Sequence, residues 1–140
     1  MTAAGRASVF HWPVRVYWED TDAGGVVYYA NYLKFMERAR SEWLRALGFE
    51  QDALRDGHGV VFVVRRVEAD YLSPARFNDA LDVSVGLKRI GGASLVVEQT
   101  VARGVTPLVA ARVTLACVDA ALFKPVKIPA FILSVLEPAT

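Results

Sequence analysis

Tyr17-Trp-Glu-Asp-Thr-Asp-Ala-Gly-Gly-Val-Val-Tyr-Tyr-Ala-Asn-Tyr32, with the pattern that continues from it to Gly48, decides how this chain folds. Three carboxylates (Glu19, Asp20 and Asp22) stand just ahead of the turn Ala23-Gly24-Gly25. Beyond it, apolar residues recur at Tyr32, Phe35/Met36, Ala39, Trp43 and Ala46/Leu47, the spacing of one face of an α-helix. Lys34, Glu37, Arg38, Arg40, Glu42 and Arg45 fill the positions between. The spacing predicts a helix over 31–47, with Asn31 as N-cap and Gly48 as its stop. At 1.5 Å rise per residue such a helix is roughly 25 Å long. An acidic turn beside a helix start, with glycines that let a ligand approach the backbone, is a workable catalytic arrangement.

On the N-terminal side, residues 10–18 read as a strand rich in Val, Tyr and Trp, with Pro13 marking an edge or a bulge. On the C-terminal side, residues 49–59 read as a short helical turn and a loop. Four strand-like runs follow, over about 60–71, 81–88, 94–102 and 109–117. Short turns join the last three, which makes them antiparallel neighbours. The apolar stretch 129–136 suits one or two helical turns. Clean alternation says that each strand covers the core with one face only. Residues 31–47 are the only element long enough to cover that face. The expected class is therefore α+β, a curved antiparallel five-stranded sheet wrapped around one long central helix.

A chain of 140 residues with 54% hydrophobic and 22% charged residues suits one ordered domain, 1–140, with its core over about 10–130. A net charge of +1 with scattered basic residues excludes a dedicated nucleic-acid binder. The longest apolar runs, such as Val60 to Val64, fall far short of a membrane span. Residues 1–8 lack the apolar segment of a secretory signal, and the single cysteine, Cys117, forms no internal disulfide. Both features point to the cytoplasm. His11 and His58 stand too far apart for metal-ligand spacing, so no metal site is expected, and no Gly-x-Ser-x-Gly occurs.

The run Arg15-Val-Tyr-Trp-Glu-Asp-Thr-Asp-Ala-Gly-Gly-Val-Val-Tyr-Tyr-Ala-Asn-Tyr-Leu-Lys-Phe-Met-Glu-Arg-Ala-Arg40 closely resembles the signature of hotdog-fold acyl-CoA thioesterases. Its nearest group is the YbgC-like branch of the para-hydroxybenzoyl-CoA thioesterase family. Val63-Val-Arg-Arg and Tyr71-Leu-Ser-Pro-Ala-Arg76 continue the likeness over about residues 10–130. The resemblance implies a homodimer with its two sheets side by side, often a homotetramer, with active sites at the subunit interface. It implies hydrolysis of acyl-CoA to free acid and CoA without a cofactor, CoA being part of the substrate. The family's catalytic aspartate falls on Asp22. Many YbgC-like members carry His where this chain has Tyr29, and the hydroxybenzoyl enzymes have Tyr there.

A thioester is already activated and its thiolate leaves without a strong acid, so one carboxylate suffices. Asp22 attacks the carbonyl or acts as base toward a water, and the sequence leaves both routes open. Asp22 capping a turn is the structural alternative, and Glu19 and Asp20 are read as structural. The oxyanion donor is a backbone N–H at the helix start, which the resemblance puts at the Tyr29 amide. The rings of Tyr28, Tyr29 and Tyr32 are expected at a subunit interface. CoA carries a diphosphate and a 3′-phosphate, and Lys88, Arg89 and Ser94 beside Gly91-Gly92 are the candidates for holding it, with Lys124 and Lys127 behind them. Cys117 reads as core. Two other functions compete: a hotdog hydratase or dehydratase, which needs a His–acid pair, and a non-catalytic acyl-CoA or acyl-carrier-protein binding or assembly module.

Overall fold

The computed structural model describes residues 9–136. Its strands are β1 (Phe10–Arg15), β2 (Val60–Tyr71), β3 (Ala80–Ile90), β4 (Ser94–Arg103) and β5 (Thr106–Asp119). Its helices are α1 (Asn31–Ala46), α2 (Gln51–His58) and α3 (Ala130–Leu133). All strands lie in one antiparallel sheet of order β1-β3-β4-β5-β2. The expected class and central helix are therefore what the chain forms.

The core lies between α1 and one face of the sheet. From α1 come Tyr32, Phe35, Met36, Ala39 and Trp43, and facing them are Leu81, Val83, Val85 and Leu87 on β3 and Val109, Val113 and Leu115 on β5. Phe35 and Met36 are fully buried, each contributing about 1.5–3 kcal/mol. The opposite face carries polar pairs such as Arg112–Glu98, 2.9 Å apart on adjacent strands. Ile128 and Ile132 after β5 are buried in the same core.

Helix α1 stops as a Schellman turn. Phe49 N–H donates to the Leu44 carbonyl and Gly48 N–H to that of Arg45, with Gly48 at φ +100°. Two local expectations shift. β1 ends at Arg15 rather than Trp18, because Asp20 accepts the Tyr17 N–H at 2.8 Å and winds Trp18–Asp20 into a 3₁₀ turn. Asn31 is not the N-cap but the first helical residue. Its side chain instead donates to the Asp20 carbonyl at 2.8 Å, bracing the turn against the helix. Pro13 does sit on an edge strand. The other edge is β2, whose twelve residues pair only with β5.

Candidate active site

The turn that carries Asp22 is stitched on three sides. Asp22 N–H donates to the Val26 carbonyl at 2.9 Å, Val27 N–H to Ala75 at 2.9 Å, and Tyr28 N–H to Asp20 at 3.0 Å. Asp22 Oδ1 accepts the Gly24 N–H at 2.8 Å, and its carbonyl accepts the Gly25 N–H at 3.0 Å. Gly25 holds φ +80°, which favours glycine. A Cβ at Gly24 would lie 3.2 Å from Asp22 Oδ1, so the glycine there keeps the carboxylate's place open. The Asp22 side chain is thus oriented by its own turn, and it is exposed in the single chain.

Immediately beyond, α1 begins. The Tyr29 amide donates to no acceptor among the described residues. A free N–H at a helix start is a ready donor for a developing negative charge. Beside it lies a slot of about 260 Å³ lined by Val27, Tyr29, Tyr32, Tyr71, Leu72 and Pro74. The Tyr29 and Tyr71 rings meet edge-on at 6.1 Å, and Tyr32 lies 5.7 Å from Tyr71. Tyr32 is buried and accepts the Ala75 N–H on its hydroxyl at 2.9 Å, fixing the slot's floor. Burial pushes the Tyr32 phenol above its usual value. The neighbouring Tyr29 hydroxyl raises that of Tyr28, and the Asp22 charge adds the smallest push.

Lys88, Arg89 and Ser94 gather at the far end of the sheet. β3 bulges between Leu87 and Arg89, and both cations are exposed. Gly91 N–H donates to the Ser94 carbonyl at 2.7 Å, and a Cβ at Gly91 would fall 2.7 Å from Ser94 Oγ. Lys127 joins this end, since Ile128 N–H donates to the Gly92 carbonyl. From Ala80, near the Asp22 turn, to Arg89 is nine residues of strand, roughly 30 Å. Within one chain these groups do not meet Asp22.

The remaining candidates fall outside the turn. His11 pairs with Asp82 at 2.7 Å across β1 and β3 on the outer face, and His58 packs on the Phe131 ring at 4.4 Å. No cluster of metal-ligating side chains forms among the described residues. Cys117 is buried in the core, and burial raises its thiol pKa. Two features went unread in the sequence. Trp18 and Phe77 stack at 3.7 Å on the surface. Arg40 is buried and donates to Gln99 Oε1 at 3.0 Å. Only its position, four residues after Met36 on the apolar stripe, signalled the latter.

A family model described as the Thioesterase-like superfamily matches residues 16–136. The chain is 47% identical over 120 residues to the acyl-CoA thioesterase YbgC of Haemophilus influenzae, covering 86% of this chain and 88% of that one. It is 46% identical over 123 residues to the acyl-CoA thioester hydrolase YbgC of Escherichia coli O157:H7, covering 87% and 91%. The crystal structure of a probable thioesterase from Bartonella henselae superposes with a TM-score of 0.84 at 38% identity, over 87% of this chain and all of that one.

Proposed function

The chain belongs to the thioesterase-like superfamily, and from that premise we propose that it is an acyl-CoA thioester hydrolase of hotdog fold in which Asp22 drives the reaction and the Tyr29 amide holds the oxyanion. The observation that supports the assignment is that the turn orienting the Asp22 carboxylate leads into a helix start where the Tyr29 N–H has no acceptor among the described residues. With the acyl group in the tyrosine slot, its carbonyl oxygen lies against that amide. Asp22 either takes a proton from a water whose oxygen adds to the carbonyl carbon, or adds directly and forms an anhydride that water then opens. In both routes the C–S bond breaks as the oxyanion collapses, and CoA departs as a thiolate. A thiol of ordinary pKa, about 8.5, leaves without a general acid. The reaction needs no metal or redox cofactor. CoA is the carrier, acyl-carrier protein the alternative one, and the cytoplasm the compartment. No helix among the described residues is long and apolar enough to cross a membrane.

The exposure of Asp22 and the distant cations are reconciled by a second copy. Two chains pairing antiparallel through their free β2 edges put the Val60 end of one beside the Tyr71 end of the other. The Lys88–Ser94 hairpin lies at the Val60 end, since β2, β5, β4 and β3 are successive neighbours. Lys88, Arg89 and Ser94 of the partner subunit then face the CoA phosphates while Asp22 faces the thioester. Water excluded at that seam strengthens the charge interactions at the carbonyl. The unit is a homodimer, alone or doubled into a homotetramer.

Mixing tests this. Asp22→Asn and Lys88→Glu/Arg89→Glu chains should each release little thiol from acyl-CoA at low substrate. A mixed dimer has one site with both functional halves, so random exchange restores roughly a quarter of wild-type activity. Full activity of Asp22→Asn alone removes the aspartate, and failure of the mixture to recover removes the cross-subunit site.

A further inference from the structure

Among the described residues the buried guanidinium of Arg40 forms no ion pair. Arg40 is only 9% exposed, and it donates to Gln99 Oε1 at 3.0 Å. Gln99 is itself 1% exposed and is held in turn by the Met36 carbonyl at 3.1 Å and the Ser84 carbonyl at 3.3 Å. Among the described residues no carboxylate pairs with Arg40. Its nearest acid along the helix, Glu37, is turned to Ser41 Oγ at 2.6 Å. Burial pulls the Arg40 pKa down, and the Glu37 charge pulls it partly back. A buried charge without a partner is strongly destabilising, so a counter-charge from outside the chain is expected.

Arg40 opens onto a groove of about 330 Å³ between α1 and β2, walled by Leu33, Met36, Val64, Val67 and Val113, with Glu37 and Lys34 at its rim. Val64 and Val67 are 47% and 39% exposed, on the strand whose outer edge has no neighbour. They also bracket the midpoint of β2, which runs from Val60 to Tyr71. If two copies pair antiparallel about that midpoint, the symmetry axis passes beside the groove, and each groove faces its counterpart. An isologous contact sets each residue of one wall against a different residue of the other and reciprocally, so cation can meet acid twice.

We infer that the groove is the centre of a two-copy seam in which the partner's Glu37 supplies the counter-charge of Arg40, and reciprocally. The pairing makes two equivalent ion pairs, each anchored through Gln99 to the helix and the sheet. The occupant is a second copy because the groove combines an apolar wall, an unpaired cation and an exposed acid one helical turn apart. That is a self-complementary set. The inference rests on the dimer proposed above and adds the contact that fixes its register.

Dimer dissociation constants measured by sedimentation at low salt test it. Glu37→Arg sets Arg against Arg40 at both ends of the axis and should weaken the dimer at least ~30-fold. Its circular dichroism should stay native, since Glu37 is exposed. An Asp56→Arg control on α2 should leave the constant unchanged. Mixing Glu37→Arg chains with Arg40→Glu chains should restore a tight heterodimer, because each axis-related pair then holds opposite charges. If Arg40→Glu does not fold, a double-mutant cycle with Glu37→Gln and Arg40→Gln on the dimer constant replaces it. Coupling supports the pair and additivity overturns it. A wild-type mass of one chain would fail the dimer itself. A wild-type dimer that Glu37→Arg leaves unchanged, or a folded mixture that does not re-pair, would overturn only this contact.

Discussion

The proposed mechanism gives Asp22 two jobs that a single substitution can pull apart. Its Oδ1 accepts the Gly24 N–H at 2.8 Å and so closes its own turn. Asn presents an amide oxygen at the same place, so Asp22→Asn keeps the turn and should change stability by no more than about 0.5 kcal/mol. Asp22→Ala removes the acceptor from an exposed N–H, a loss of about 0.5–1.5 kcal/mol and a melting point lower by a few degrees. Chemistry responds differently. Without a charged carboxylate neither the nucleophilic nor the base route runs, and turnover should fall about 10²–10⁴-fold in both variants. At 1.36 kcal/mol per decade that is about 2.7–5.4 kcal/mol of barrier, several times the stability effect. The assay is thiol release from a panel of acyl-CoAs, with thermal melts on the same preparations. The expected pattern is two variants equally inactive but unequal in melting point. If Asp22→Asn turns over within about threefold of wild type while Asp22→Ala does not, the carboxylate only shapes the turn, and the proposed chemistry is refuted.

Two further predictions concern the scaffold. Gln99→Leu strips Arg40 of its 3.0 Å acceptor and leaves the Met36 and Ser84 carbonyls without their donor, and should lower stability by about 3 kcal/mol, roughly 6–12 °C in melting point. A fall under ~2 °C would mean that Arg40 is satisfied by other groups. Burial pushes the Asp79 carboxyl up, but the Arg76 N–H and the Arg103 guanidinium, both 2.9 Å away, outweigh it and hold its pKa below the ordinary value. A depressed carboxyl stabilises the fold above its unfolded pKa, about 3.9, and that contribution is lost as pH falls through the folded value. Asp79→Asn should therefore melt below wild type at neutral pH, with the gap closing toward pH ~3. A gap independent of pH would show that Asp79 acts through packing alone.

How far the sequence exposed this design depends on the range of each interaction. Helix α1 was legible because its apolar stripe repeats locally, and its end because only a residue tolerant of φ +100° fits at Gly48. The face each strand buries was legible from alternation. That β2 lies beyond β5 at the far edge was not, because alternation says which way a side chain points and never which strand lies alongside. Arg40 hid for the same reason. A charge on a helix reads as solvent-facing, and the residue that holds it, Gln99, is 59 positions away. Asn31 has the chemistry of an N-cap, yet the Asp20 carbonyl competes for its side chain and takes it. The Asp22 turn was readable as a unit because the bonds that close it, Asp22 N–H to Val26 and Gly25 N–H to Asp22, span only a few residues, whereas its anchor at Ala75 was not. The separation of Lys88 and Arg89 from that turn was not, since it follows from sheet order.

That separation bears on how the site divides its labour. The Asp22 turn closes through bonds between near neighbours, and Val27 N–H ties it to Ala75 of the same chain, so it forms without a second copy. The tyrosine slot forms within one chain, whereas the cations proposed to hold the CoA phosphates reach it only if the right strand edges meet. At Tyr29 the two kinds of control fall on different atoms of one residue. The amide belongs to the helix start and is indifferent to the side chain, while the ring packs against Tyr71 and shapes the slot. A family that carries His or Tyr at this position can therefore change the acyl group it accepts without touching the proposed oxyanion donor. On the proposed mechanism, acyl preference is written in the rings around Tyr29 and in the second copy that covers them, and reactivity in the short turn that carries Asp22.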